Sequence, residues 1–167
     1  MSAPNSKLPG LRLVAFDIDG VFTDGRFYLS DDGVESKAFN TQDGFGIRQL
    51  LDAGIVVAVI SGRKSGAVER RMAELGVAHV IQGCKDKVAA LGEIVAALGI
   101  TTEQCAYVGD DIPDLPLLNA VGYSIAVANA VLDVRQQCDH TTSAGGGHGA
   151  VREVCELILA ARTGAQP

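Results

Sequence analysis

The stretch L-R-L-V-A-F-D-I-D-G-V, residues 11–21, joins a short apolar run to two aspartates that stand two positions apart. Residues 11–16 are a predicted strand, and strands and helices then alternate as far as residue 161. Such alternation is typical of an open parallel sheet that carries helices on both faces. The loops that follow parallel strands meet at one edge of the sheet, and ligands bind there. The sequence therefore predicts an α/β fold of the Rossmann-like kind.

The other elements follow from apolar spacing and from glycines that end helices. Further strands are predicted at residues 55–60, 77–82, 105–108 and 123–127. Helices are predicted at residues 43–53, 65–75, 86–98, 113–121, 131–137 and 149–161. The β-branched run at 55–60 has no polar face, as expected for a strand that is covered on both sides. We expect one domain over residues 11–162, preceded by a flexible arm at residues 1–10.

The segment between the first strand and the first helix is short. Residues 26–39 hold two short pieces around the turn signal Asp31-Asp32-Gly33, which predicts a β-hairpin inserted after the first strand. The connection is long enough for a hairpin and too short for a further domain. No insertion follows the strand at 77–82 either.

Composition excludes several classes of protein. Of 167 residues, 47% are hydrophobic and 20% are charged, which favours a globular chain over a disordered one. The net charge of −6 argues against a nucleic-acid partner. The apolar runs are far shorter than the ~20 residues of a membrane-spanning helix, and the polar start lacks the core of a signal peptide. We expect a cytoplasmic protein whose four widely spaced cysteines are reduced: Cys84, Cys105, Cys138 and Cys155.

Polar side chains follow four of the predicted strands, and one of them, Lys87, opens the helix after the strand at 77–82. They supply carboxylates, a hydroxyl and an ammonium group: Asp17, Asp19, Ser61, Lys87, Asp110, Asp111 and Asp114. Two carboxylates close together, as Asp17 and Asp110 would be, are costly unless a cation is shared or a pKa rises. Oxygen ligands suit Mg²⁺, which takes one or two carboxylates together with a phosphate. The residues themselves therefore indicate a magnesium site that can hold a phosphate in an acidic protein.

The same residues suit phosphoryl transfer. Ser61 and Lys87 can bind phosphate oxygens as a neutral and a charged donor. Asp17 can act as a nucleophile that forms an aspartyl-phosphate, and Asp19 can hand a proton to the leaving oxygen. Each motif by itself has an ordinary structural interpretation, such as a turn, a solvated lysine or a helix N-cap. Their occurrence in order, each after a strand, favours a functional site.

The motifs also resemble those of a known family. They are D-x-D-G-V-F-T-D (17–24), V-I-S-G-R (59–63), K-D-K (85–87) and G-D-D-x-x-D (109–114). In this order they resemble the haloacid dehalogenase superfamily, specifically its phosphatases, over about residues 11–159. The resemblance implies that Asp17 is the nucleophile and that Asp19 is the general acid and then the base. It also implies that Mg²⁺ is held by Asp17, by the backbone carbonyl of Asp19 and by Asp110.

The resemblance assigns the remaining polar residues as well. It implies that Ser61 and Lys87 bind the transferring phosphoryl group. Asp111 and Asp114 would orient the metal's waters or Lys87, and these two aspartates could exchange roles. Many members of the superfamily carry a cap domain over the site, but the short connections here predict a capless enzyme.

Finer motifs concern the substrate. F-N-T-Q-D-G-F-G-I (39–47) and G-G-G-H-G-A-V-R-E (145–153) look like those of phosphatases of 3-deoxy-D-manno-octulosonate 8-phosphate, in lipopolysaccharide sugar synthesis. They imply substrate contacts from Thr41, Asp43 and His148, with a solvated loop histidine as the alternative for His148. Arg63 would meet the substrate carboxylate, because relatives that act on nine-carbon sialic-acid-type substrates tend to have glutamate there. A nine-carbon ulosonate 9-phosphate is the alternative substrate, and a surface ion pair is the alternative for Arg63.

The resemblance further implies a homotetramer with shared active sites, in which hairpins pack at the centre. Phe27, Tyr28 and Leu29 are apolar enough to be buried there, and packing on the chain's own core is the alternative.

Two other classes of protein compete with the phosphatase interpretation. A phosphate-accepting receiver domain also uses an aspartate, Mg²⁺, a hydroxyl and a lysine. It would carry its acceptor aspartate after the third strand, and here the candidate nucleophile follows the first. A non-catalytic interaction protein on the same fold would have damaged motifs, and all the motifs here are intact.

Overall fold

The computed structural model describes residues 4–164. Its strands are β1 (Leu13–Phe16), β2 (Tyr28–Leu29), β3 (Glu35–Ser36), β4 (Val56–Ile60), β5 (His79–Ile81), β6 (Cys105–Gly109), β7 (Tyr123–Ala126) and β8 (His140–Thr141). Its α-helices are α1 (Thr41–Asp52), α2 (Gly66–Leu75), α3 (Lys87–Leu98), α4 (Leu115–Leu118), α5 (Leu132–Gln137) and α6 (Ala150–Thr163). Short 3₁₀ helices cover Pro4–Gly10, Thr102–Gln104 and Ile112–Asp114.

Within the described residues, six strands form one sheet in the order β5-β4-β1-β6-β7-β8, and every pairing in it is parallel. The predicted open parallel sheet is therefore confirmed. The sequence analysis missed β8, because its two residues carry no apolar run. The helix predicted at 113–121 is shorter than expected: the 3₁₀ helix Ile112–Asp114 precedes a single turn of α4.

Burial explains why β1 lies at the centre. All four of its residues are buried, and Leu13 pairs with Val56 on one side and with Cys105 on the other. An apolar strand that is covered on both faces favours a central position in a parallel sheet. Helices α1 and α6 pack against each other and cover part of the core. Because β1 lies between β4 and β6 in the sheet, the loop after β1, which carries Asp17 and Asp19, lies between the loops after β4 and β6.

The start of the chain differs from the predicted loose arm. Residues 1–3 lie outside the described residues. Pro4–Gly10 forms a 3₁₀ helix that packs against α6, and Leu8 in it is fully buried. Removing the Leu8 side chain from water contributes about 1.5–3 kcal/mol to holding this segment on the domain.

The hairpin after β1 is confirmed. Strands β2 and β3 pair antiparallel in a separate two-stranded sheet, with Tyr28 opposite Ser36. No cap domain is inserted anywhere between residues 4 and 164. Tyr28 and Leu29 are 67% and 66% exposed, so the hairpin does not bury these side chains in the core of its own chain. Over the described part of the chain, no helix has the length and apolarity needed to cross a bilayer.

Candidate active site

A cavity of about 340 Å³ opens at the edge of the sheet where β1, β4 and β6 end. Its lining includes all the polar residues that follow the predicted strands: Asp17, Asp19, Ser61, Lys87, Asp110, Asp111 and Asp114. Arg63 lines it too, as do Cys84 and Lys85, to which the sequence analysis assigns no role in the site. These residues meet because the sheet is parallel: the carboxyl ends of its strands lie at one edge, which brings Asp17 and Asp110 together although they are distant in the sequence.

Lys87 lies between two carboxylates. Its Nζ atom is 3.1 Å from Asp17 Oδ1 and 2.7 Å from Asp114 Oδ1. Burial alone would lower the pKa of the Lys87 ammonium, but Asp17 and Asp114 outweigh it and raise that pKa. Lys87 therefore stays charged beside the candidate nucleophile, at the first residue of α3, where it can bind an anion.

Asp114 is buried, and both of its carboxylate oxygens accept hydrogen bonds. Its Oδ1 atom accepts hydrogen bonds from Lys87 and, at 2.6 Å, from the hydroxyl of Tyr107. Its Oδ2 atom accepts from the backbone N–H groups of Asp110 and Asp111, at 2.9 and 3.3 Å. Gly109 makes this possible, since a Cβ there would overlap the Asp114 side chain. Asp114 thus fixes both Lys87 and the loop that carries Asp110.

Asp111 occupies a different position from Asp114. It is exposed at the rim of the cavity, and its side chain accepts a hydrogen bond of 2.8 Å from the N–H of Ile112 at the start of the 3₁₀ helix. The two aspartates are therefore not interchangeable in the structure: Asp114 contacts Lys87, and Asp111 caps the helix turn.

Carboxylate oxygens of Asp17, Asp110 and Asp114 lie within 4.8 Å of one another. Burial, together with the charge of Asp114, raises the pKa of Asp17 to about 6. Burial and the charges of Asp17 and Asp114 raise the pKa of Asp110 to about 8. Because hydrogen bonds already occupy both Asp114 oxygens, Asp17 and Asp110 are the carboxylates that remain for a cation. This donor set fits Mg²⁺, which relieves repulsion of this kind.

Asp19 meets cations from two other elements. Lys37, which directly follows β3, pairs with Asp19 Oδ1, and Arg63 Nε lies 3.8 Å from Asp19 Oδ2. Arg63 also contacts Glu35 at 2.6 Å and lies over the ring of Phe27, 4.1 Å from its centroid. The hairpin is thereby part of the wall of the site.

The glycine loop packs against the turn that follows β1. A Cβ at Gly146 would overlap the carbonyl oxygens of Gly20 and Thr23. Asn129 joins the two segments, because its Nδ2 donates to Gly20 O at 3.1 Å and its Oδ1 accepts from Gly146 N at 2.6 Å. The run of glycines at 145–147, which the sequence alone suggests is a flexible loop, is thus a close backbone contact.

The other predicted substrate residues lie outside the cavity lining. Thr41 begins α1 and is exposed, and His148 is exposed in the glycine loop. Asp43 is fully buried, and its Oδ1 accepts a hydrogen bond of 2.9 Å from Arg152 N. That bond caps the first turn of α6, whose own N-cap residue, Gly149, has no side chain. Of the four predicted substrate residues, Arg63 is the one that lines the cavity.

Sequence reasoning overlooked three residues that hold the site together: Tyr107, Lys37 and Asn129. For two of them the sequence contains a pattern that could have identified them. Tyr107 is the one hydroxyl in the otherwise apolar strand β6. Glu35 and Lys37 stand two positions apart near a strand, where alternate residues share a face. Asn129 follows β7 without any distinguishing pattern.

Comparisons with known proteins agree with this geometry. The family model of the haloacid dehalogenase-like hydrolases matches residues 77–153. The 3-deoxy-D-manno-octulosonate 8-phosphate phosphatase of Salmonella typhi is 46% identical over 157 residues, which are 94% of this chain and 84% of that protein. A crystal structure of the phosphatase of that name from Yersinia pestis has a TM-score of 0.95 at 43% identity, covering 97% of this chain and 88% of that one.

A second solved structure was determined with ligands. It is the 3-deoxy-D-manno-octulosonate 8-phosphate phosphatase from Moraxella catarrhalis, in complex with a magnesium ion, a phosphate ion and a KDO molecule. Its TM-score is 0.94 at 45% identity, and the match covers 98% of this chain and 94% of that one.

Proposed function

The chain belongs to the haloacid dehalogenase-like hydrolases, in the group of the 3-deoxy-D-manno-octulosonate 8-phosphate phosphatases, and from this we propose a mechanism, a metal site and a substrate for it. It is a phosphoric monoester hydrolase. The observation that carries the proposal is the joint position of Asp17, Ser61, Lys87 and Asp110 in one cavity.

In the first step, an Asp17 carboxylate oxygen attacks the phosphorus atom of the substrate, and the bond from phosphorus to the sugar oxygen breaks. Asp19, entering this step protonated, gives its proton to that oxygen, so the sugar leaves as a neutral alcohol. Lys87 and Ser61 bind the oxygens of the phosphoryl group. Support for these roles is the 3.1 Å contact between Lys87 and Asp17, and the burial of Ser61 at the end of β4.

In the second step, the Asp19 carboxylate takes a proton from a water molecule, and the resulting hydroxide oxygen attacks the phosphorus of the aspartyl-phosphate. The bond from phosphorus to Asp17 breaks, which releases phosphate and restores both aspartates. The absence of a cap between residues 4 and 164 supports this step, because water reaches the intermediate from an open cavity.

Asp17, Asp110 and the backbone carbonyl of Asp19 would hold Mg²⁺. When bound, the ion supplies positive charge that offsets the acidic cluster and the charge of the phosphoryl group. Asp114 would stay outside this ligand set, because Lys87, Tyr107 and two backbone N–H groups use its oxygens.

For the substrate we propose 3-deoxy-D-manno-octulosonate 8-phosphate, and for the pathway lipopolysaccharide sugar synthesis. Arg63 lines the cavity and would take the sugar carboxylate in place of Glu35, to which it is bonded at 2.6 Å. A guanidinium group can hold a carboxylate through two parallel hydrogen bonds. A nine-carbon ulosonate 9-phosphate carries the same two anionic ends and is the competing substrate.

We further propose a cytoplasmic homotetramer with shared active sites. Tyr28, Leu29 and Val34 expose apolar surface on the hairpin, and association would remove it from water. Thr41 and His148, exposed outside the cavity of their own chain, would then face a neighbouring site. Light scattering coupled to gel filtration tests this assembly, and a fully active monomer would contradict it. The four free cysteines suit a reducing compartment.

The test of the function is phosphate release by the purified protein, with Mg²⁺ and with EDTA. Substrates are the octulosonate phosphate, a nine-carbon ulosonate 9-phosphate and common sugar phosphates. We expect the highest kcat/KM for the octulosonate phosphate and no activity in EDTA. The number of phosphate ions released per protein molecule distinguishes an enzyme from a receiver domain, because only an enzyme turns over a free sugar phosphate many times. Asp17→Asn should abolish turnover without unfolding the protein, and activity near that of the wild type would refute the nucleophile assignment.

A further inference from the structure

Four side chains of alternating charge close a ring at the wall of the cavity. Lys37 pairs with Asp19 Oδ1 and lies 3.7 Å from Glu35 Oε1. Glu35 Oε2 is 2.6 Å from Arg63, and Arg63 Nε is 3.8 Å from Asp19 Oδ2. The ring therefore joins three parts of the chain, namely the hairpin, the loop after β1 and the loop after β4.

Burial singles out Lys37 within this ring. Its side chain is 0% exposed, whereas those of Asp19 and Arg63 are 21% and 48% exposed. Taking an ammonium group out of water is costly unless paired charges compensate it. The carboxylates of Asp19 and Glu35 supply that compensation, so the burial of Lys37 depends on its contacts with them.

We propose that Lys37 is a positioning residue, which holds the Asp19 carboxyl group where it can exchange a proton with the leaving oxygen. The inference rests on the proposed function. Lys37 grips one Asp19 oxygen while Arg63 approaches the other, so the carboxyl group is restrained from two sides. Proton transfer requires hydrogen-bond distance to the reacting oxygen, about 2.6–3.2 Å, and misplacement by about 1 Å costs about 100-fold in rate.

The main variant is Lys37→Met, which keeps the length of the side chain and removes its charge. With the octulosonate phosphate we expect kcat to fall about 10- to 100-fold and KM to change less than about threefold, since the bound substrate is not what Lys37 touches. Lys37→Arg should recover most of the loss. Arg26→Met is the matched control on the same hairpin, because that side chain is 81% exposed and lies 3.9 Å from Asp24.

Leaving-group chemistry separates positioning from a general structural effect. 4-Nitrophenolate is a weakly basic leaving group and departs without a proton. The rate at which 4-nitrophenolate is released in the first turnover should therefore be nearly the same in Lys37→Met and in the wild type. The turnover rate of the sugar phosphate should fall in the same variant. In an Asp19→Asn background, Lys37→Met should cause no additional loss, because the group that it positions is gone.

Several results would overturn the inference. They are an unchanged kcat in Lys37→Met, a rise in KM alone, an equal loss in the first turnover of 4-nitrophenyl phosphate, and additive losses in the Asp19→Asn background. If Lys37→Met does not fold, Lys37→Gln replaces it, since its side chain is shorter and uncharged but remains polar. We expect the same pattern in kcat and KM, and an unchanged kcat would overturn the inference. A wild-type protein that hydrolyses no phosphate ester would instead refute the proposed function itself.

Discussion

Replacing Asp114 by asparagine tests whether this buried carboxylate holds the site together. The amide keeps one oxygen, which can still accept from the backbone N–H groups of Asp110 and Asp111. Its NH₂ group then faces the ammonium of Lys87 and the hydroxyl of Tyr107, where the carboxylate had accepted two hydrogen bonds. The amide N–H donors of the asparagine would thus face the donors of Lys87 and Tyr107 in a buried position, with no acceptor between them.

The magnitude follows from these contacts. A hydrogen bond to a charged group contributes about 1.5–3 kcal/mol, and two such bonds are lost. Part of the loss is recovered, because Lys87 keeps Asp17 at 3.1 Å and the Tyr107 hydroxyl can rotate to accept from the new amide. Loss of the Asp114 charge also relieves its repulsion with Asp17 and Asp110. We expect Asp114→Asn to lower the free energy of unfolding by about 3 kcal/mol, which corresponds to a fall in Tm of about 6–12 °C for a domain of this size.

The assay is thermal unfolding followed by circular dichroism, with Asp111→Asn as the matched control. Asp111 is exposed and caps a helix turn, and asparagine caps as well as aspartate, so that variant should melt within about 2 °C of the wild type. Calorimetric titration should show that Asp114→Asn weakens Mg²⁺ binding far less than Asp110→Asn does. Equal melting temperatures for the two asparagine variants, or complete loss of Mg²⁺ binding in Asp114→Asn, would refute the reasoning.

Three further predictions concern the glycine loop, the metal and the substrate. Gly146→Ala should lower both Tm and kcat, because its Cβ would overlap the carbonyl oxygen of Gly20 behind the catalytic turn; unchanged melting and kinetics would contradict that contact. Without metal, Asp17 and Asp110 bind more protons in the folded protein than in the unfolded chain because their pKa values are raised, so the stability that these two groups contribute falls as the pH rises from about 4 to about 8. The gain in Tm on adding Mg²⁺ should therefore be larger at about pH 8 than at about pH 5, and equal gains would argue against these shifts. Arg63→Glu should reduce kcat/KM for the octulosonate phosphate far more than for 4-nitrophenyl phosphate, and equal losses on both would exclude a carboxylate contact.

Local pattern alone indicated the parallel sheet, the hairpin and the chemistry at its edge. An apolar run such as β1 can be identified from the local sequence, because a strand that is buried on both faces has apolar residues at successive positions. The polar residues that follow the strands were predictable for a related reason. Parallel topology brings every strand's carboxyl end to one edge, so Asp17, Ser61 and Asp110 had to come near one another once the alternation was established.

Tertiary structure decided what each of those side chains touches. In the sequence Asp111 and Asp114 look alike, but only Asp114 turns into the core to meet Lys87 and Tyr107. Asp43 belongs to a motif that suggests a substrate contact, yet it is buried as a cap for α6. The pairing of Lys37 with Asp19 joins residues of two loops, and no spacing along the chain encodes it. Periodicity reports which face of an element is buried, whereas contacts between loops depend on how those elements pack, and that is determined only when the whole chain has folded.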